Sequence, residues 1–196
     1  MRYIVGLVLL PIGIMIGLNL PDLDYRVSFL VHRSIVTHGF IFPLFLFWGI
    51  HKRDLAQLRL PAMGFSLSLA AHLCFDLFPV AWIGYALISV PGYGRTDPLF
   101  SWLWIAGSIV LCLYLALLLV KNVGDVVVAA GSAVVSFGLC AAAESVYWPA
   151  LVALSLATFV ALMLPSSSAG MARRLLKKFT SRHGDEQWTA EKLEQS

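Results

Sequence analysis

Long apolar runs alternate with short polar breaks along most of this chain, at a spacing that suits helices crossing a bilayer. Residues 3–20 are apolar, follow Arg2 and stop at Pro21-Asp22. No small-residue cleavage site follows the apolar core, so the segment reads as a retained helix and not as a signal peptide. Its roughly 18 residues are just long enough to span. Pro21 ends it, because the ring removes a donor and restricts the preceding residue. A polar loop over 21–34 carries its own small apolar piece, Val27 to Val31. The second predicted span covers Ile35 to Ile50 and ends in the charged turn His51-Lys52-Arg53-Asp54.

The third predicted span, Leu60 to Ile83, contains His72 and Asp76, with Pro79 as a kink. Breakers at Gly84, Pro91, Gly92, Gly94 and Pro98 make 84–99 a loop. Further spans cover Phe100 to Val120, Val123 to Ala143 and Tyr147 to Leu164, where Pro165-Ser166-Ser167-Ser168 breaks the pattern. The fifth is rich in Gly, Ala and Ser, a composition that suits close helix packing. Met171 to Phe179 is basic and amphipathic and is expected to lie on the lipid surface. Residues 181–196 form a polar tail. The pattern predicts an all-α integral membrane protein with about six transmembrane helices and a basic amphipathic C-terminal segment. Residues 1–165 form the transmembrane domain and 166–196 a cytoplasmic basic tail.

Composition strengthens this reading. Hydrophobic residues make up 59% of the 196 and charged residues 13%, where a soluble domain has about 25% charged; the mean hydropathy is +0.82. The formal charge of +3 is uneven. Arg173, Arg174, Lys177, Lys178 and Arg182 crowd the C-terminus, as a juxtamembrane anchor does. No nucleic-acid-binding motif accompanies them, and that class of partner is set aside. With six spans both termini share a side, which collects Arg2, Lys52, Arg53, Arg59, Lys121 and the basic tail; the other side collects Arg26, Arg33 and Arg95. The excess of positive charge predicts cytoplasmic termini in a multi-pass protein of the cell's inner membrane. Cys74, Cys112 and Cys140 lie in apolar runs with no motif spacing and read as small buried hydrophobes.

One polar constellation stands against this background. Asp22, Asp24, Arg26, His32, Arg33 and His38 surround the start of the second span, and His72 and Asp76 lie in the outer half of the third. They include three of the seven aspartates and three of the five histidines. Ionisable groups at membrane depth are costly and face a bundle interior or wet cavity. His72 and Asp76 are four apart, so a helix puts them on one face. Asp22 and Asp24 follow a helix-ending proline, where irregular backbone lets both carboxylates point inward. Mixed imidazole and carboxylate donors suit Zn²⁺, Mn²⁺ or Fe²⁺. The expected metal ligands are Asp22, Asp24, His38, His72 and Asp76, enough for one ion or for two that activate water and clamp a phosphoester. His32 is a further ligand or a general base. Arg33, and after it Arg26, would neutralise a phosphate.

The plainer readings weigh against each residue taken singly. His72 alone would be a packed histidine, Asp22 and Asp24 a solvated turn, and Arg26 and Arg33 snorkelling interfacial residues. Taken together, six such groups at one depth would still need burial partners. Asp97 and Glu144 are outer loop acids able to approach the site, and Asp125 is a helix N-terminal charge. His51 falls on the opposite side and His183 in the tail. Trp82, Tyr85, Trp102, Trp104, Tyr147 and Trp148 read as an interfacial belt.

At these residues the sequence resembles the YdjM-like family of inner-membrane, metal-dependent hydrolases. The likeness covers about residues 10–80: Gly17, Leu20-Pro21-Asp22-Leu23-Asp24, His32-Arg33, Thr37-His38 and His72-x-x-x-Asp76. It implies remote kinship with zinc-dependent phospholipases C and single-strand nucleases, whose sites use several zinc ions. Three features depart from the family pattern. No histidine precedes Pro21, Gly39 stands where a serine usually follows the Thr-His pair, and the gap between His32-Arg33 and Thr37-His38 is one residue longer than the commonest form.

The leading expectation is hydrolysis of a phosphoester in a lipid or lipid-linked substrate reaching the site from the outer leaflet. Asp24, His32 and Arg33 would carry the chemistry, and Arg26 and Arg33 the substrate phosphate. The alternative is a non-catalytic metal-stabilised scaffold or partner subunit, assembled with a membrane partner or a second copy of the chain. A cation- or proton-coupled transporter would need polar groups continuing toward the cytoplasm, and below His72 the third span offers only Ser66 and Ser68.

Overall fold

A computed structural model of the chain describes residues 2–27, 32–78, 86–144 and 146–165. Among these, six α-helices follow one another: α1 (Arg2–Asn19), α2 (Ile41–Arg53), α3 (Arg59–Leu77), α4 (Pro98–Leu118), α5 (Val123–Ala143) and α6 (Trp148–Met163). Three are long and apolar enough to cross a membrane: α3 with the 3₁₀ turn that leads into it (Ala56–Leu58), α4 and α5. The apolar α1 and α6 are shorter. The second predicted span is the one most reduced. Residues 35–40 form turns, and the 13 residues of α2 rise about 20 Å, short of a hydrocarbon core of about 30 Å.

The expected loop 84–99 contains a two-stranded antiparallel hairpin, β1 (Ser89–Val90) and β2 (Gly94–Arg95). Gly92 and Gly94 turn it, with φ of 80° and 103° that a side chain would resist. The apolar piece at 28–31, the kink at Pro79, Trp82 and Tyr85, the amphipathic stretch Met171 to Phe179 and His183 all lie outside the described residues.

The bundle is built around α3, whose spanning window is 78% buried against 44% for α4 and 11% for α5. It packs on α1, α4, α5 and α6, and more lightly on α2. The closest approach is to α1, which runs parallel to it. A Cβ at Gly13 would stand 2.2 Å from the Pro61 carbonyl oxygen, and one at Gly17 2.4 Å from that of Phe65. Gly13-x-x-x-Gly17 thus lets two backbones meet, as small residues do in membrane helix pairs. In α5 the small residues divide: Ser132 and Ser136 are buried in a helix that packs on α3, whereas Gly131 and Gly138 face open space beside the exposed Val127, Val134 and Leu139.

At the end of the bundle that carries the N-terminus, Arg59 is buried and not a free surface charge. Its guanidinium donates to both carboxylate oxygens of Asp125 and, at 2.7 Å, to the Leu119 carbonyl. Asp125 also accepts from the backbone N–H of Lys121 at 2.7 Å and of Asn122 at 3.2 Å, while the Asn122 side chain caps Asp125 N in return. The helix N-terminal charge is therefore also the anchor that fixes α3 to the α4–α5 turn.

Candidate metal and phosphate site

The opposite end of the bundle gathers the polar constellation. After Asn19 the chain tightens into a 3₁₀ turn, Pro21–Tyr25. With about three residues per turn, side chains two apart point in different directions. Asp24 is buried, whereas Asp22 stays exposed. Among the described residues Asp22 makes no ion pair with the cluster, and Arg26 is likewise exposed and apart from it.

Asp24 is held from the next loop. Its Oδ2 accepts from the backbone N–H of Arg33 and, at 3.3 Å, of Ser34. These successive N–H groups form an anion-binding nest, and Arg33 adopts the left-handed φ of 57° that aims them. Such a backbone costs on the order of 1–3 kcal/mol and persists only when its surroundings fix it. Ser89 of β1 does the fixing. Its N–H donates to the Arg33 carbonyl at 2.8 Å, its carbonyl accepts from Ile35 N at 2.9 Å, and its hydroxyl donates to the His32 carbonyl at 2.9 Å. The hairpin is tied in turn to α4, since the Ser101 hydroxyl accepts from Ile88 N at 3.0 Å and meets the Thr96 hydroxyl at 2.8 Å.

Two more contacts fix the end of the loop. The indole N–H of Trp104, on α4, donates to the His38 carbonyl at 2.9 Å. A Cβ at Gly39 would meet that ring at 2.9 Å, so Gly39 makes room for Trp104. Trp104 therefore supports the site, where the sequence made it one aromatic of a belt. Of the acids able to approach, Asp97 is the N-cap of α4, accepting from Phe100 N at 3.0 Å, and Glu144 is exposed at the end of α5.

The chemistry converges on His38, 3% exposed. Its Nδ1 lies 3.6 Å from Asp24 Oδ2 and 3.1 Å from the Thr37 hydroxyl, and its Nε2 lies 3.5 Å from Asp76 Oδ2. From one turn earlier on α3, His72 Nε2 reaches the same Asp76 oxygen at 3.5 Å. The Arg33 guanidinium sits 3.6 Å from Asp76 Oδ1, and His32, half-exposed at the rim, places Nδ1 3.9 Å from Asp24 Oδ1. Asp24, His32, Arg33, His38, His72 and Asp76 are thus brought together, and Asp22 and Arg26 are not. The site also enlists Thr37, Ser89, Ser101 and Trp104. Of these Thr37 stood out in the sequence as half of a motif with no role attached and Trp104 only as a belt aromatic; Ser89 and Ser101 did not.

Two carboxylates, buried Asp24 and half-buried Asp76, flank one imidazole. Burial pushes His38 below its ordinary 6.5, against the raising influence of Asp76 and then Asp24. A neutral imidazole has one N–H and satisfies one carboxylate only. Asp76 Oδ2 is buried and has no hydrogen-bond donor among the described residues, although two imidazole nitrogens face it. A buried oxygen in that position suits a cation, and the donors are those that first-row divalent ions prefer. Donors around a tetrahedral zinc at about 2.0–2.1 Å stand roughly 3.3–3.4 Å apart, close to the two 3.5 Å separations here. In their present rotamers, no three His, Cys, Asp or Glu side chains among the described residues surround a point where an ion would sit. The donor chemistry therefore fits an ion, and closing around it requires side-chain rotation.

Comparison with known proteins finds no matching family model, no matching curated protein and no matching solved structure.

Proposed function

We propose that this chain is a membrane-embedded, metal-dependent hydrolase acting on a phosphoester of a lipid or lipid-linked substrate at the non-cytoplasmic face of the inner membrane. The observation that carries the reading is the pair of imidazole nitrogens, on His38 and His72, facing one buried oxygen of Asp76 that has no hydrogen-bond donor among the described residues. His38, His72 and Asp76 would hold the ion, zinc first and manganese or iron after it. A divalent ion supplies Lewis acidity to a water and to a phosphoryl oxygen.

The chain's own groups do the rest. Arg33, held beside Asp76, presents a cation to the substrate phosphate; Arg26 could join it only by moving inward. His32, at the half-exposed rim, is the group able to take a proton from water or return one to a leaving oxygen. The resemblance to the YdjM-like hydrolases points to the same chemistry.

A lipid substrate is supported by where the loop lies. Irregular backbone at membrane depth is tolerated when protein buries it, and in the 32–40 turns Ser34, Thr37, His38 and Gly39 are buried, with contacts to α3, α4 and the hairpin. With α2 too short to span, the site sits recessed below the headgroup level, where an acyl chain can lie beside it. Both termini are cytoplasmic in this arrangement. A proton or cation relay is disfavoured, because the Ser66 and Ser68 hydroxyls donate back to the carbonyls of Ala62 and Gly64.

A second reading has its own support. The contacts of Arg33 with Asp76 and of Asp24 with His38 pin three chain segments together, which is what a metal-stabilised scaffold would do without turnover. The test is elemental analysis of the detergent-purified protein beside His72→Ala and Asp76→Ala, followed by a phosphodiester and phosphomonoester lipid screen. Near-stoichiometric zinc or manganese, lost in both variants, together with turnover, is expected. Metal without turnover on any lipid substrate would favour the scaffold, and no metal after reconstitution would sink both.

A further inference from the structure

We infer that Asp24 and Thr37 are positioning residues that hold His38 in its Nδ1–H form, and that Asp24 is not itself a ligand of the ion. The inference deepens the metal-dependent reading and rests on it for the use of the Nε2 lone pair; the proton position itself is independent of any metal. Everything facing Nδ1 is an acceptor or can be one. Asp24 Oδ2, 3.6 Å away, has no proton to give as a carboxylate. The Thr37 hydroxyl, 3.1 Å away, has a carbonyl of its own to donate to, that of Ser34 at 3.3 Å, and so turns a lone pair toward the ring.

The competing tautomer would put the proton on Nε2, where Asp76 could accept it. Two facts decide against this. Asp76 has the Arg33 guanidinium beside it and some solvent contact, whereas Asp24 is wholly buried: besides His38 it accepts from two backbone N–H groups, and the half-exposed His32 stands farther off, at 3.9 Å from its Oδ1. The Nδ1 lone pair of the competing form would be driven against that buried carboxylate. With the proton on Nδ1, the Nε2 lone pair of His38 points at Asp76 Oδ2, beside His72 Nε2.

Asp24 then has the standing of an outer carboxylate. Its Oδ2 already accepts two backbone N–H groups and faces the imidazole N–H. This is the carboxylate–histidine–metal relation in which the carboxylate sets ring orientation and basicity. Its buried Oδ1 has no hydrogen-bond donor among the described residues, but only His32, at 3.9 Å, faces it there, where two imidazole nitrogens face Asp76 Oδ2 at 3.5 Å. The reading divides the two aspartates, which the sequence placed in one ligand set: Asp76 binds, Asp24 aims.

The experiment uses the full chain in detergent with ¹⁵N-labelled histidine, read by long-range ¹H–¹⁵N spectra without metal and after titration with zinc. His38 is expected in the Nδ1–H form before zinc, with zinc shifting its Nε2. Thr37→Val is expected to admit a population of the Nε2–H form, and Thr37→Ser to restore the wild-type pattern. Asp24→Asn is expected to keep one zinc per chain while weakening its affinity about 10- to 100-fold, whereas Asp76→Asn loses the zinc altogether. A wild-type His38 protonated on Nε2 would overturn the inference, as would a folded Asp24→Asn that binds no zinc. If Asp24→Asn does not fold, the two Thr37 variants still decide it. A chain that binds no zinc but shows the Nδ1–H form would refute the hydrolase and leave the positioning role standing.

Discussion

The glycine seam between α1 and α3 allows a test in which one substitution has opposite effects at two places. In Gly17→Ala the new methyl would lie 2.4 Å from the Phe65 carbonyl oxygen and 2.6 Å from the Ser68 hydroxyl, where ordinary contact begins at 3.4 Å. Because the nearest obstacle is backbone, α1 must move outward by about 1 Å at that point. Overpacking of this kind costs about 1–3 kcal/mol, and the gain in helix propensity from glycine to alanine offsets up to about 1 kcal/mol. The net loss of about 1–2 kcal/mol corresponds to a Tm lower by roughly 2–8 °C in a chain of this size. The displacement also reaches the site, since Asp24 comes seven residues later and its 3.6 Å approach to His38 has little slack. Gly131→Ala and Gly138→Ala introduce the same methyl with nothing within 4 Å. There the propensity term acts alone, and Tm should hold or rise by up to about 4 °C. Thermal unfolding in one detergent, followed by circular dichroism, compares the three variants directly, with zinc content as a second readout. Equal Tm shifts for Gly17→Ala and Gly131→Ala would refute the packing argument.

Removing one member of the buried Arg59–Asp125 pair strands the other, so Asp125→Asn or Arg59→Met should each destabilise the protein by about 3–5 kcal/mol, and the double change Arg59→Met/Asp125→Leu by clearly less, as measured by chemical unfolding. Trp104→Phe takes the N–H from the His38 carbonyl and should cost about 1 kcal/mol with weakened zinc binding. Gly39→Ser crowds the Trp104 ring, so it should bind zinc less well alone than when combined with Trp104→Phe; equal binding would exclude the steric account. In the metal-free protein His38 titrates below 6.5 when folded, so the unfolded chain takes up that proton first as pH falls. Its contribution to stability is therefore complete above 6.5 and declines below it, a slope that His38→Gln should flatten in unfolding curves taken across that range.

Much of the site was legible because helical spacing is a strong signal. His72 and Asp76 had to share a face of α3, and a topology alternating from one side to the other brought Asp24 and His38 to the same end. The boundaries of α5 were equally plain, between Asn122 and Glu144. The features that escaped notice have physical causes. A proline ends a helix without dictating the backbone beyond it, and the 3₁₀ turn that separates Asp22 from Asp24 leaves no mark in composition. Apolar residues over 35–40 look the same in a buried turn as in a helix, which is why α2 is shorter than its hydrophobic run. Glycine is also ambiguous: Gly13 and Gly17 mark backbone contact, whereas Gly131 and Gly138 in a richer stretch mark none. Trp104 could not be told from its neighbours, since an indole N–H shows its partner only once the chain is folded.

The role of Ser89 has a consequence for how the protein is made. The loop that cradles Asp24 is held by a residue that leaves the ribosome more than fifty positions later, and Trp104 comes later still. During synthesis α1 and the Asp24 carboxylate that follows it therefore emerge before the groups that hold their loop exist. The cradle around Asp24 and His38 is thus a late product of the chain, and a ribosome stalled before the hairpin has emerged would hold a chain with every expected ligand and no cradle to hold them.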